Sequence, residues 1–210
     1  NEQLGARMLA NKSSVDNTKM KTGNLTPTEW AYLETSKQAL EQYNIVFDDS
    51  AAVTVSDIRA KCRKMSQEGK LDFVVIDYLQ LIKGDERGNV NRQEEVAKIS
   101  RSLKEMAREL KIPIMALSQL SRDVDKRPDK RPVLADLRES GSIEQDADMV
   151  LFLYSDDYYN QDNKDERVRN IDLNIAKNRQ GMSGKAISFK FDLPYSRFTV
   201  LDVEAKDFGD

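Results

Sequence analysis

Three short apolar runs, at residues 71–76, 113–117 and 149–154, alternate with stretches of helical periodicity and constrain this chain more than any other feature. A run such as Phe73-Val74-Val75-Ile76 is rich in β-branched side chains and predicts a strand buried on both faces. Between the first two runs, Val96, Ile99, Leu103, Met106 and Leu110 recur at spacings of three and four, which predicts one helix over about 91–111 with a single apolar stripe. Helices alternating with buried strands require crossover connections, so the expected fold class is α/β with a mostly parallel sheet flanked by helices.

The pattern changes at both ends. Residues 1–43 read as helical, with Gly23 closing one segment and Thr26-Pro27-Thr28-Glu29 opening the next through a capping box. Ile45-Val46-Phe47 reads as a short buried strand, and Thr54-Val55-Ser56-Asp57 as the start of a helix running to about Gly69. In the last third, Ile171, Leu173 and Ile175 alternate with polar residues, as do Ile187, Phe189 and Phe191, on either side of the turn Gly181-Met182-Ser183-Gly184. That predicts an antiparallel hairpin at the C-terminal edge of the sheet. The acidic stretch 156–166, with Tyr158 and Tyr159, reads as an insertion.

Composition removes whole classes of chemistry. The 210 residues contain no His and one Cys, Cys62, so imidazole catalysis, cysteine-rich zinc sites and an internal disulfide are excluded. The lone cysteine fits a reducing, cytoplasmic setting. No apolar run approaches the roughly 20 residues that a membrane-spanning helix needs. With 33 basic and 36 acidic side chains the formal net charge is −3, so any nucleic-acid surface must be local.

Five constellations remain. Asp77 ends the first apolar run, where open α/β sheets bind ligands and where a carboxylate organises the water shell of Mg²⁺. Ser118-Gln119 ends the second run, where a neutral amide is either able to sense a γ-phosphate by hydrogen bonding or a solvent-facing Gln at a strand end. The stretch from Arg122 to Arg138 is centred on Lys126-Arg127-Pro128-Asp129-Lys130-Arg131-Pro132, four positive charges against one negative, suited to a phosphate backbone. Ser140, Gly141 and Ser142 follow Arg138 and expose backbone N–H groups before a short helical turn. Lys177 and Arg179 stand two apart on a strand and share one face, placed to reach a neighbouring subunit's nucleotide.

In this order the pieces resemble the C-terminal, RecA-like motor domain of DnaB-type replicative DNA helicases, bacterial or phage. The resemblance rests on "IDYLQLI" (76–82), "LSQLSR" (117–122), "DKRPVLADLRESGSIEQDAD" (129–148) and "AKNRQG" (176–181), and it covers residues 1–203, with 204–210 as a tail. It implies ATP-dependent unwinding of duplex DNA by a homo-hexameric ring moving on single-stranded DNA, with a primase and a helicase loader as partners. It implies that Asp77 holds Mg²⁺ through water and that Gln119 couples nucleotide state to DNA. It also implies that Lys177 and Arg179 act across the subunit interface, Arg179 as the finger. Arg138, Glu139 and Gly141 match the family's DNA-tracking segment, with Arg87, Arg122, Lys126 and Arg127 also on the channel side. The family's P-loop, G-x-x-x-x-G-K-[ST], and its catalytic Glu find no match, so the chain is expected to be a portion of a longer motor and inactive in ATP hydrolysis by itself. The alternatives are a RecA-like recombinase or nucleotide switch, and a non-catalytic ring scaffold that holds single-stranded DNA.

Overall fold

The computed structural model describes residues 2–84, 91–159, 167–201 and 206–207, with the backbone alone at 138–140 and 206–207. Helices α1 (Glu2–Ser13), α2 (Asn17–Thr22) and α3 (Pro27–Glu41) open the chain, and α4 (Val55–Gln67) precedes β1 (Val74–Ile76). Helix α5 (Arg92–Leu110) connects β1 to β2 (Ile114–Ala116). Two 3-10 segments, Arg122–Lys126 and Leu134–Ser140, lead into α6 (Gly141–Asp146) and β3 (Met149–Tyr154). Then come α7 (Asp156–Tyr159), β4 (Val168–Asn178), β5 (Lys185–Asp192), β6 (Arg197–Val200) and β7 (Lys206–Asp207). These elements divide between two compact units, one of Asn1–Asp49, Phe152–Ile175 and Gly184–Asp210, the other of Ser50–Leu151 and Ala176–Ser183.

In the second unit β1 and β2 pair in parallel, Val74 opposite Ile114 and Ile76 opposite Ala116, with α5 as the crossover. The α5 stripe forms much of that unit's core, with Val96, Ile99, Leu103 and Met106 buried and Met106 fully sealed from solvent. Asn91 caps its first turn by accepting the Gln93 N–H, and Lys111 ends it at a left-handed φ of 55°. In the first unit the capping box of α3 forms as the sequence predicts, Thr26 Oγ1 accepting the Glu29 N–H and Glu29 Oε2 accepting the Thr26 N–H at 2.8 Å. Its carboxyl is pulled down to about 2, first by the bond from Lys19 and then by the Thr26 backbone. Strands β4 and β5 form the expected antiparallel hairpin, with Ile171 opposite Phe189 and Leu173 opposite Ile187. β6 extends it, and Phe198 packs on Phe191 with ring centroids 4.5 Å apart.

The α/β class matches the expectation, but the strands form two sheets, the parallel pair β1–β2 and a five-stranded sheet of β3–β7 in which β4–β5, β5–β6 and β5–β7 pair antiparallel, so the hairpin edges a second sheet and not a mostly parallel one. Local expectations are corrected too. Ile45, Val46 and Phe47 form no strand and are exposed, Val46 at 70%. The reason is that a strand exists only with a partner, and none of the described residues pairs with them. The first apolar run is likewise not buried on both faces. Phe73 and Val75 point outward and are about half exposed, while Val74 and Ile76 are partly buried. Along β3 the same alternation buries Val150 and Phe152 and exposes Met149, Leu151 and Leu153. Among the described residues no helix is long and apolar enough to cross a membrane.

Candidate functional site

Parallel strands present their carboxyl ends at one edge, and that geometry brings together groups 42 positions apart in the sequence, Asp77 and Gln119. Beyond the last paired residues, the Leu117 N–H bonds the Ile76 carbonyl and the Leu79 N–H bonds the Leu117 carbonyl, each at 2.9 Å. Asp77 thus leaves β1 beside the turn in which Ser118 and Gln119 leave β2. Asp77 is exposed, and its carboxylate has no hydrogen bond or ion pair among the described residues. The Gln119 side chain is exposed too and has no partner among them. No three carboxylate, Cys or His groups gather among the described residues to hold a metal by themselves. A single unpaired carboxylate at a strand end fits Mg²⁺, which keeps several waters and takes one or two carboxylates together with substrate phosphates.

A neighbouring side chain had no sequence signal of its own. Gln80, on the 3-10 turn after Asp77, bonds both backbone groups of Gln119 and the Ser118 hydroxyl. Its role depends on two strand ends lying side by side, which no local spacing reveals.

Lys177 and Arg179 act on one face, as their spacing predicts, and the face they grip is the last turn of α6. Lys177 Nζ donates to the Glu144 carbonyl. Arg179 donates through Nη2 to the Gln145 carbonyl at 2.6 Å and through its backbone N–H to the Asp148 carbonyl at 2.9 Å. Cations suit these positions because the last carbonyls of a helix lack intrahelical partners and carry partial negative charge. The Asp148 carboxylate is shared between Lys104 and Arg179, the latter at 3.4 Å. The bond from Lys104, with the nearby charges of Arg179 and Arg108, holds the Asp148 carboxyl below its usual range. No hydrogen bond or ion pair among the described residues joins the Lys177–Arg179 group to Asp77 or Gln119.

The basic loop divides by role. Arg122 is exposed and unpaired among the described residues. Lys126 is exposed and pairs with Asp123 at 2.7 Å, a surface contact worth little energy. Arg127 turns inward, its Nη2 donating to Asp136 Oδ2 and to the Arg131 carbonyl, both at 2.8 Å. The buried Asp136 also accepts the Val133 N–H at 2.7 Å, so Arg127 and Asp136 close the loop on itself. Gly141 begins α6, and a Cβ there would meet nothing within 4 Å among the described residues. Arg87 and the side chains of Arg138 and Glu139 lie outside the described residues.

The DnaB-like helicase C terminal domain model matches residues 1–200. The chain belongs to this family. It is 50% identical over 201 residues to the replicative DNA helicase DnaB of Geobacillus stearothermophilus, covering 96% of this chain and 44% of that protein. It is 48% identical over 208 residues to the replicative DNA helicase DnaC of Bacillus subtilis (strain 168), covering 99% of this chain and 45% of the relative. A solved structure of a DnaB-like replicative helicase and its interactions with primase superposes with a TM-score of 0.84 at 39% identity, over 94% of this chain and 47% of that one. The DnaB-like chain described here therefore spans under half the length of these relatives.

Proposed function

We propose that this DnaB-like chain is the motor portion of a ring-shaped, homo-hexameric helicase that couples hydrolysis of Mg-ATP to movement along single-stranded DNA and so unwinds duplex DNA in the bacterial cytoplasm. The observation that carries the reading is the placement of Asp77 and Gln119 side by side at the carboxyl edge of parallel strands, in a chain matched by the family over residues 1–200. Mg²⁺ would neutralise charge on the transferred phosphoryl group. Asp77 would hold its water shell, and Gln119 would read the state of the γ-phosphate. Lys177 and Arg179 would serve the nucleotide of the adjacent subunit. Among the described residues they bond carbonyls of α6 and neither Asp77 nor Gln119, in keeping with a pair that works in trans. Arg122, Lys126, Gly141 and, by resemblance, Arg87, Arg138 and Glu139 would face the strand. Arg127 would shape the loop from within. The primase named with one solved relative is a proposed partner here too, as is a loader.

A motor that must pass any sequence holds phosphates rather than reading bases, so binding is governed by salt. Titrating fluorescent oligonucleotides with this chain at several salt concentrations should give a straight line of log affinity against log salt, with little difference between base compositions. Arg138→Ala should weaken every oligonucleotide alike and flatten the slope by about one unit. A slope identical to that of the unsubstituted chain removes Arg138 from the DNA path.

A further inference from the structure

Where the β1–β2 ladder ends, the side chain of Gln80 continues it. A strand residue meets its neighbour with one donor and one acceptor, and the carboxamide of Gln80 offers the same pair. Its Nε2 donates to the Gln119 carbonyl at 3.3 Å while its Oε1 accepts the Gln119 N–H at 3.3 Å, and Nε2 also lies 3.2 Å from Ser118 Oγ. Each bond is long and partly wet, so none contributes much alone. Together they hold both backbone groups of Gln119, whose side chain has no partner among the described residues.

Gln80 is itself held in place. Arg92, the first residue of α5, donates to the Gln80 carbonyl at 2.6 Å and pairs with Glu95 one turn on. Glu95 accepts the Gly84 N–H at 2.6 Å, and this bond, with Arg92 second, keeps its carboxyl below the usual range. The approach is close: a Cβ on Gly84 would stand 3.0 Å from Glu95 Cγ and Oε1, so the Glu95 side chain would have to give by a few tenths of an ångström. The first turn of α5 thereby grips the segment 80–84, and the segment 80–84 grips the turn bearing Gln119.

We infer that Gln80 is a positioning residue for Gln119, extending the parallel ladder through its carboxamide so that the Gln119 side chain meets the nucleotide at a set distance from Asp77. The inference rests on the reading of Gln119 as the nucleotide sensor. Among side chains of this length only glutamine supplies both halves of the pair. Glutamate keeps the acceptor, loses the donor and sets a carboxylate against the Gln119 carbonyl. Leucine keeps the bulk and loses both.

The test is ATP turnover of the full-length protein with and without an oligonucleotide, in Gln80→Leu and Gln80→Glu, each alone and combined with Gln119→Ala. The expected result is that either Gln80 substitution lowers strand-stimulated kcat about tenfold, with KM for ATP within about twofold and Tm within a few degrees of the unsubstituted protein. In the Gln119→Ala background Gln80→Leu should add nothing, because it acts only through Gln119. Amide exchange at Gln119 in the 210-residue chain should quicken in both Gln80 variants. Wild-type turnover in Gln80→Glu, a loss that multiplies with that of Gln119→Ala, or unchanged exchange at Gln119 each overturns the inference and leaves the helicase reading standing. A full-length protein whose hydrolysis ignores the strand overturns the helicase reading, and the positioning role falls with it.

Discussion

Arg179→Ala in the full-length protein should lower ATP turnover by about a thousandfold or more while nucleotide affinity stays within a few-fold, the range expected when an arginine finger is removed. The asymmetry follows from where charge develops. A finger meets the transferred phosphoryl group as it gains charge in the transition state, so its loss falls on kcat and spares ground-state binding. The structure adds a complication that the test must separate. Arg179 also holds the Gln145 carbonyl and faces Asp148 within its own subunit, so alanine loosens the last turn of α6 as well. Arg179→Lys retains a cation for those contacts but loses the forked donor geometry, and it should remain far below the unsubstituted rate. Rings assembled from mixtures with a subunit defective at Asp77 sharpen the result, because a residue acting in trans restores turnover at the neighbour's site. Equal losses of affinity and turnover in Arg179→Ala would assign the residue to α6 alone.

Asp136→Ala should lower the Tm of this chain by about 5–10 °C, corresponding to about 2–3 kcal/mol in a domain of this size. Asp136 is buried and accepts from both Arg127 and the Val133 N–H. Its removal leaves the Arg127 guanidinium and that N–H without the carboxylate oxygen they share, in a poorly hydrated place, which costs more than the pair itself contributed. Arg127 retains about a third of its side-chain exposure, so water recovers part of the loss. Arg122 and Lys126 lie on the 3-10 segment just before Arg127, which the Ser121 N–H also ties to the Asp136 carbonyl, so affinity for a single strand should fall with stability although Asp136 touches no phosphate. Thermal unfolding followed by circular dichroism checks the first effect and oligonucleotide titration the second. A Tm shift under 2 °C would mean that the loop is held elsewhere.

What was legible in the sequence follows the range of the interaction. The capping box at Thr26 and Glu29 and the stripe of α5 are decided within a few residues, and both form as written. The hairpin of β4 and β5 was legible because a turn and two alternating runs lie next to each other. Ile45-Val46-Phe47 has strand composition but no strand, since pairing is decided by residues far along the chain. The same limit hid the site's supports. Gln80 and Gln119 are 39 positions apart, Lys104 and Asp148 are 44 apart, and each pair meets only after the strands are assembled. Arg127 counted as one more positive charge in a basic run until its partner nine residues on drew it inward.

The central claim is that this chain belongs to a motor that separates strands, and strand displacement tests it most directly. The full-length protein should release the labelled strand of a forked duplex only when ATP, Mg²⁺ and a single-stranded tail are all present, and Asp77→Ala should abolish release. Strand-stimulated hydrolysis without displacement would contradict the account and point instead to a recombinase or a nucleotide switch.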